Sequence, residues 1–283
     1  MKTITAWAVL AATALGGEPA PDKATESTDF LRARPEVVEA WQDMRFGMFN
    51  CWGPVSLTGL EIGWSRGAPR GGEFRVRQGQ GPTPVDVYDN LYKKWKPDQF
   101  DARQWVRVAQ EAVIKYMIFL VKHHDGFCLY DSQLTEFKST GAESAWTVDV
   151  MKEVADACHA ADLKLIIYYS QPDWHHPADR THNHARYIKY RHRPDRELLT
   201  DYGRIAGFWF DLGGEPEDWD SEELFPLMRT LQPHLIINNR CGLPGDFDTP
   251  EQRLGGFRID RPWETCMTLN SQWSWKPNDR IKS

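Results

Sequence analysis

The chain has 283 residues, of which 41% are hydrophobic and 26% charged, with a formal net charge of -6 and a pI near 5.9. This length and composition predict one large globular domain or two small ones, and they exclude a disordered chain. No run of Lys or Arg marks a phosphate-binding surface, which argues against nucleic acid as a partner. No apolar run is long enough to span a membrane. The oligomeric state stays open.

The first residues have the pattern of an export signal. Lys2 provides the positive start, and Ile4 to Leu15 is mostly apolar and is followed by small residues. Residues 1–18 are therefore predicted to be a signal peptide, 19–35 a linker and 36–283 the folded domain of a secreted or periplasmic protein. A frayed, uncleaved N-terminus is the alternative. Five cysteines without C-x-x-C spacing indicate neither a disulfide framework nor a zinc site.

A strand followed by a helix is the unit that recurs along the chain. Residues 59–90, rich in Gly, Pro and Arg, separate the first strand from this alternation and are typical of a functional loop. The predicted strands are Phe46 to Phe49, Tyr116 to Val121, Leu165 to Tyr169, Ile205 to Phe210 and Leu235 to Asn238, with a further candidate at Trp263 to Met267. The predicted helices are Asp101 to Ile114, Val148 to Ala161, Ala178 to Tyr202 and a helix ending at Leu231.

Regular alternation predicts an α/β fold with parallel strands and crossover helices. The strands are continuously apolar, which indicates a sheet buried on both faces. Because no Gly-rich phosphate loop follows the first strand, a (β/α)8-type barrel is favoured over an open sheet.

Sequence signals also bear on the ends and interiors of the helices. Asp101 can cap its helix, whose apolar stripe is predicted to contain Val108. Asp220 has capping-box spacing for the helix that ends at Leu231. Pro194 and Pro226 fall inside predicted helices, each costing about 3 kcal/mol unless accommodated, so breaks or reduced stability are expected there.

Two polar clusters stand where apolar strands end. Residues 122–127 (Lys-His-His-Asp-Gly-Phe) follow the strand ending at Val121, and Trp209-Phe210-Asp211 closes another. The C-terminal ends of strands carry the chemistry of a barrel. A carboxylate flanked by aromatic rings, as Asp211 is, fits a covalent nucleophile for a glycosidic carbon. An Asp that caps the next loop is an equal alternative.

The two histidines of the first cluster allow several interpretations. His123 and His124 are adjacent, so a regular strand would place them on opposite faces, whereas at a strand end both can turn toward the mouth. Sugar hydroxyl recognition and a core histidine fit equally well. Metal ligation is less favoured, because no third ligand stands at a familiar spacing. We therefore predict no metal and no cofactor.

Two glutamates compete as the proton donor. Glu251 lies in a loop after the strand that ends at Asn238, and Glu264 follows Trp263. A general acid needs a raised pKa, which burial or a neighbouring carboxylate can supply. Either glutamate could instead be a surface carboxylate. Arg240 can orient a carboxylate or donate to sugar oxygens, and a structural ion pair is the equal alternative.

These clusters resemble the α-L-fucosidases of glycoside hydrolase family 29, and the resemblance covers roughly Trp41 to the C-terminus. The combination of Lys-His-His-Asp-Gly-Phe with Trp-Phe-Asp is specific, although neither motif alone would be. The matching stretches are Arg45-Phe46-Gly47-Met48-Phe49, Trp52-Gly53-Pro54, Tyr88-Asp89-Asn90-Leu91-Tyr92, Lys122 to Phe127, Tyr168-Tyr169-Ser170, Trp209-Phe210-Asp211 and Asn238-Asn239-Arg240.

The resemblance implies a retaining exo-hydrolase that removes terminal α-L-fucose from a fucosylated glycan without a cofactor. It implies that Asp211 is the nucleophile and that Glu251 is the acid/base, with Glu264 as the second choice. Carboxyl groups in retaining sites lie roughly 5 to 5.5 Å apart. The positions implied to hold the fucose are His123, His124, Tyr168, Trp209 and Arg240.

Three features depart from the family pattern. Cys51 stands where the family has a sugar-binding His before Trp-Gly, and a thiol is a much weaker donor and acceptor. Ile62-Gly63-Trp64 replaces Glu-Trp-Tyr, with Trp64 expected to supply the aromatic wall. The chain stops at Ser283, where the family continues through a last barrel strand and a β-sandwich, so the barrel is expected to be incomplete at its C-terminus.

Two rival functions remain open at this point. The Cys51 substitution and the chain end are compatible with a non-catalytic fucose-binding barrel or an inactive fragment. The pair His123 and His124 is compatible with a metal-dependent hydrolase. Neither the glycosidic linkage nor the aglycone is specified by the sequence.

Overall fold

A computed structural model describes residues 30–67, 79–179, 184–253 and 260–282. The predicted signal peptide lies outside these residues, as does the linker up to residue 29. The strands are β1 Gly47–Asn50, β2 Tyr116–Lys122, β3 Lys164–Ser170, β4 Gly207–Asp211 and β5 Ile236–Ile237. The helices are α1 Pro35–Met44, α2 Val85–Tyr88, α3 Ala102–Glu111, α4 Val150–Ala160, α5 His184–Thr200, α6 Pro216–Trp219 and α7 Ser221–Leu231.

The five strands form one parallel sheet in the order β1-β2-β3-β4-β5, which confirms the α/β prediction. Tyr168 lies opposite Trp209 and Ser170 opposite Asp211, so β3 and β4 end level with each other. In the described part of the chain the sheet ends at β1 on one side and β5 on the other, and the predicted closure into a barrel is not seen there.

The central strands are buried along nearly their whole length. Every residue of β2 is buried, as is every residue of β3 after Lys164. Helix α4 packs against β3 and against α3, while α5 packs against α7. Burial of both sheet faces explains why these strands read as continuous apolar runs. None of the helices within the described ranges is long and apolar enough to cross a membrane.

The α3 helix begins at its predicted cap but buries a different face. The Asp101 carboxylate accepts the Arg103 and Gln104 backbone N–H groups at 2.9 and 3.3 Å. Val108, placed in the apolar stripe by sequence, is 52% exposed. The buried face is Ala102, Val106 and Ala109, a rotated stripe at spacings of four and three residues.

The helix breaks expected at two prolines are not found, although the alternative of reduced stability stays a prediction, and the capping box expected at Asp220 is wrong. Both α5 and α7 continue through their prolines, Pro194 and Pro226. In α5 the buried residues Leu198 and Leu199 anchor the turns beyond the proline. Their packing offsets the loss of the backbone hydrogen bond that Pro194 cannot donate. Asp220 has a left-handed backbone and makes no side-chain cap, because α6 ends at the residue immediately before it.

The last candidate strand, Trp263 to Met267, forms single bridges rather than a ladder. Asp248 is bridged to Trp263, and Glu251 to Cys266. The loop after β5 is thereby held against the 260–268 segment. This pairing places Glu251 at the same end of the sheet as the C-terminal residues of β4.

Candidate active site

A β-bulge lies immediately before the lysine of the first cluster. The β2–β3 register shifts between Leu120 and Lys122, so that Lys122 lies opposite Tyr169. Its buried Nζ donates to the Pro172 carbonyl at 2.8 Å and lies 4.7 Å from the centroid of the Tyr169 ring. Lys122 therefore supports the sheet and does not contact the carboxylates of the site.

The two histidines both turn to the mouth of the sheet, as a strand end allows. Their ring centroids are 3.8 Å apart. The His124 Nδ1 and Ser170 Oγ atoms are 2.5 Å apart, and Nε2 of His124 lies 3.6 Å from an Asp211 oxygen. Burial lowers the pKa of His123 well below its ordinary value. A neutral imidazole at this position can both donate to and accept from sugar hydroxyls.

Asp211 is fixed by donors on both of its oxygens. Oδ2 accepts the Tyr168 hydroxyl at 2.5 Å, and Oδ1 accepts Nη1 of Arg240 at 2.7 Å. The Leu212 backbone N–H also donates to Oδ1 at 2.7 Å. Asp211 therefore caps the next loop and also contacts Tyr168 and Arg240. Its side chain is 15% exposed. A carboxylate held in this way is oriented yet reachable, as a nucleophile must be.

Arg240 joins the two predicted catalytic carboxylates. Nη1 contacts Asp211, and Nη2 donates to Glu251 at 2.9 Å. The guanidinium carbon lies 4.6 Å from the Trp209 ring centroid, and Nε donates to the Thr249 hydroxyl at 2.9 Å. Asp211 and Glu251 thus lie on adjacent nitrogen atoms of one guanidinium. The Glu251 side chain is 40% exposed, which leaves it accessible to a leaving group.

The competing glutamate, Glu264, occupies the floor of the site. Its carboxylate accepts the Tyr116 hydroxyl at 2.7 Å and the Trp209 indole N–H at 3.0 Å. Burial raises its pKa, which fits the electrostatic criterion for an acid. Both oxygens are nevertheless engaged by side chains of the sheet, whereas Glu251 contacts the same arginine as Asp211. The geometry therefore favours Glu251.

The aromatic residues form a wall around these polar groups. Tyr168 stacks on Trp209 with a centroid distance of 5.5 Å. Trp64 is 37% exposed, and its ring lies 5.1 Å from His124 and 5.3 Å from Trp174. An exposed indole face suits the C–H side of a pyranose, whereas Tyr168 and Trp209 are 3% and 2% exposed. That Trp64 supplies an aromatic wall to a sugar stays a prediction.

Cys51 also lies within reach of the charges of the site. Burial raises the pKa of its thiol well above the ordinary value, and the negative charges of Glu61 and Asp211 act in the same direction. The sulfur is therefore a protonated thiol at neutral pH. It can make only weak hydrogen bonds where the family pattern has an imidazole.

A metal ion has one candidate site among the residues that the structure describes. Ligand atoms of His123, His124 and Asp211 all lie within 4.8 Å of one another. Asp211 already pairs with the cation Arg240 and accepts the Tyr168 hydroxyl. The adjacent positive charge opposes a second cation, so these contacts suit sugar hydroxyls better than a metal.

One polar contact to Asp211 was missed by the sequence reasoning. The side-chain carbonyl of Gln171 accepts the Asp211 N–H at 2.8 Å. Gln171 directly follows β3, which ends level with β4. The sequence shows that Gln171 follows a strand. It does not show the strand register, which is what brings Gln171 next to Asp211.

Comparisons with known proteins identify the family to which the chain belongs. Residues 12–283 match the family model described as Alpha-L-fucosidase. The chain belongs to the α-L-fucosidase family. The fucosidase resemblance found in the sequence is thereby confirmed.

Relatives and solved structures support the same family. The chain is 27% identical to Alpha-L-fucosidase 1 of Arabidopsis thaliana and 26% identical to Plasma alpha-L-fucosidase of Homo sapiens. Each match covers 84% of this chain but only 42% and 55% of the relative. The chain therefore spans about half the length of these curated fucosidases.

Solved structures at or above 25% identity share the fold, and two of them illustrate the match. Alpha-L-fucosidase isoenzyme 1 from Paenibacillus thiaminolyticus superposes with a TM-score of 0.76 at 33% identity, covering 88% of this chain and 64% of that one. AlfC from Lactobacillus casei, in complex with Fuca(1,6)GlcNAc, gives a TM-score of 0.71 at 25% identity. That match covers 88% of this chain and 84% of the other.

Proposed function

We propose that this protein is a retaining, exo-acting α-L-fucosidase that releases terminal α-L-fucose from fucosylated glycans. The observation that carries the proposal is that one guanidinium, that of Arg240, contacts both Asp211 and Glu251. A double-displacement site needs two carboxyl groups close together over one sugar ring. Membership of the α-L-fucosidase family indicates that the sugar is fucose, and one solved neighbour was determined with Fuca(1,6)GlcNAc bound.

Each carboxylate has a defined task in the proposed reaction. An Asp211 oxygen attacks the anomeric carbon while the glycosidic C–O bond breaks and Glu251 gives its proton to the leaving oxygen. Glu251 then removes a proton from water, whose oxygen attacks the same carbon and displaces the Asp211 carboxylate. Two inversions give fucose with retained configuration. None of these steps requires a metal or a cofactor.

The surrounding residues bind and orient the sugar. His123 and His124 offer imidazole nitrogen atoms to its hydroxyls, and Trp64, which is 37% exposed, supplies an aromatic face. The buried rings of Tyr168 and Trp209 line the site behind them. Tyr168 and Arg240 hold Asp211 in place for attack. A (β/α)8-type barrel around this site and a secreted or periplasmic location are parts of the same proposal.

Turnover of an aryl α-L-fucoside tests the proposal directly. We expect Asp211→Gly to lose activity by about 10⁴-fold or more. Azide should restore turnover in this variant by attacking the anomeric carbon in place of the missing carboxylate, yielding the β-fucosyl azide. Full activity after exhaustive chelation is expected and separates this reaction from metal-dependent hydrolysis. Fucose binding without turnover by the intact chain would establish the non-catalytic rival instead.

A further inference from the structure

A buried hydroxyl links the His-His-Asp motif to the loop that carries Trp64. Asp125, 6% exposed, accepts the Tyr88 hydroxyl at 2.6 Å. The same hydroxyl oxygen accepts the Gly63 backbone N–H at 2.8 Å. Residues 61–66 are called the Trp64 loop here. Tyr88 therefore joins the middle of this loop to the residue that directly follows the two site histidines.

Gly63 rests directly on a sugar-binding histidine. A Cβ at this position would lie 2.2 Å from Nδ1 of His123, closer than any real contact allows. The φ angle of Gly63 is +62°, which also favours glycine. His123 is 6% exposed. The imidazole cannot shift toward the Trp64 loop, and the loop cannot move inward, so each fixes the position of the other.

The Trp64 loop is held at its ends by contacts that do not involve Tyr88. The Glu61 carboxylate accepts the backbone N–H groups of Trp273 and Ser274 at 2.9 and 3.1 Å. At the other end Arg66 makes a two-point contact with Asp89, with both distances 2.6 Å. Removing the Tyr88 hydroxyl would therefore loosen the middle of the loop at Gly63, while the contacts at its ends and the turn hydrogen bonds within it remain.

We propose that Tyr88 is a positioning residue for the fucose site, acting through the Gly63 N–H to set His123 and Trp64. This inference rests on the proposed function for its kinetic test. His123 and Trp64 contact the sugar and not the bond being cleaved. Binding that is equal in the ground and transition states changes KM and leaves kcat unchanged. A loosened Trp64 loop should accordingly raise KM.

Tyr88→Phe removes only the hydroxyl, and Tyr92→Phe is the matched control. Tyr92 lies four residues later, is 7% exposed, and donates its hydroxyl to Glu143 at 3.1 Å, away from the Trp64 loop. For an aryl α-L-fucoside we expect Tyr88→Phe to raise KM about three- to tenfold, with kcat within about twofold. Tyr92→Phe should change neither constant.

Hydrogen exchange of the full chain tests the positioning without relying on catalysis. The peptide spanning residues 60–66 should exchange about three- to tenfold faster in Tyr88→Phe than in the parent or in Tyr92→Phe. Unchanged exchange in this peptide, or a fall in kcat with KM unchanged, would overturn the proposal. If the parent chain turns over no fucoside, the proposed function fails while the exchange result still decides the role of Tyr88.

A second variant covers the case in which Tyr88→Phe does not fold. Gly63→Ala keeps the hydroxyl of Tyr88 but introduces a methyl group against the His123 imidazole. We expect the same selective rise in KM, because the imidazole or the loop must move. A KM equal to that of the parent would show that the contact between this loop and His123 does not position the sugar.

Discussion

Arg240 and Arg191 each lie beside a carboxylate in this protein, but in opposite surroundings. Arg240 contacts Asp211 at 2.7 Å and Glu251 at 2.9 Å, and its side chain is 18% exposed at the mouth of the sheet. Arg191 and Asp195 are fully buried on helix α5, and their closest charged atoms are 3.4 Å apart. Neither Asp195 oxygen has a hydrogen-bond donor among the residues that the structure describes.

The two arginines differ in their access to solvent: Arg240 lies in the candidate site at the mouth of the sheet, whereas Arg191 lies in the core. Around Arg240 the carboxylates remain reachable, so a substrate can compete for the same donors. Around Arg191 the desolvation cost of both charges is offset by their mutual attraction, by the Phe210 ring 5.2 Å away, and by a long hydrogen bond of 3.5 Å from Arg191 to the Trp219 carbonyl. Burial also raises the pKa of Asp195. Changes at Arg240 should therefore affect the reaction rate, whereas changes at Arg191 or Asp195 should affect the stability of the fold.

The largest expected effect comes from breaking the buried pair. Arg191→Met leaves the Asp195 carboxyl buried without its cation, so we expect the free energy of unfolding to fall by about 3–5 kcal/mol. Urea denaturation measures this change. The double variant Arg191→Met with Asp195→Leu should recover most of the loss. A double variant as unstable as the single one would show that the ion pair itself, and not the stranded carboxyl, carries the stability.

Arg240→Met should act on rate more than on stability. Without the guanidinium, Asp211 and Glu251 lose the group that fixes their relative positions. We expect kcat/KM for an aryl α-L-fucoside to fall about 100-fold, which corresponds to about 2.7 kcal/mol. Arg240→Lys should recover little, because an ammonium cannot contact both carboxylates in the same plane. Near-parental activity in Arg240→Met would contradict the role assigned to this side chain.

The smallest expected effect concerns Glu264. Its carboxyl lies in the candidate site, like that of Asp211, but its pKa is raised by burial, like that of Asp195. Because burial raises its folded-state pKa, its contribution to stability is fully present below the ordinary Glu value near 4.3 and is lost as the pH rises through the folded pKa. Glu264→Gln cannot ionise. The difference in unfolding free energy between variant and parent should therefore shift in favour of the variant as the pH rises from 4 toward 8, by less than the changes expected at Arg191 and Arg240.

Urea denaturation at several pH values measures that shift. The Glu264 carboxyl accepts hydrogen bonds from Tyr116 and Trp209, and the amide of Glu264→Gln retains an acceptor for one of them. A constant difference across this pH range would mean that Glu264 does not titrate with an elevated pKa.

Much of the fold was readable from the sequence because it rests on local patterns. Continuous apolar runs mark β2 and β3, and Asp101 marks the start of α3. The capping prediction at Asp220 failed because α6 ends at Trp219 and fixes the backbone of Asp220. The spacing of residues in the sequence does not reveal this. The prolines in α5 and α7 misled for a similar reason, since helix packing decides whether a proline is tolerated.

The sequence by itself determined the parallel α/β alternation, the strand-end placement of Asp211, His123 and His124, and the family. These features depend on residue type and on distance along the chain. Only the tertiary structure decided that Arg240 joins Asp211 to Glu251 and that Glu264 lies beneath Trp209. Such contacts join residues 11 to 55 positions apart, and strand register together with loop bridging brings them together, which no local pattern encodes.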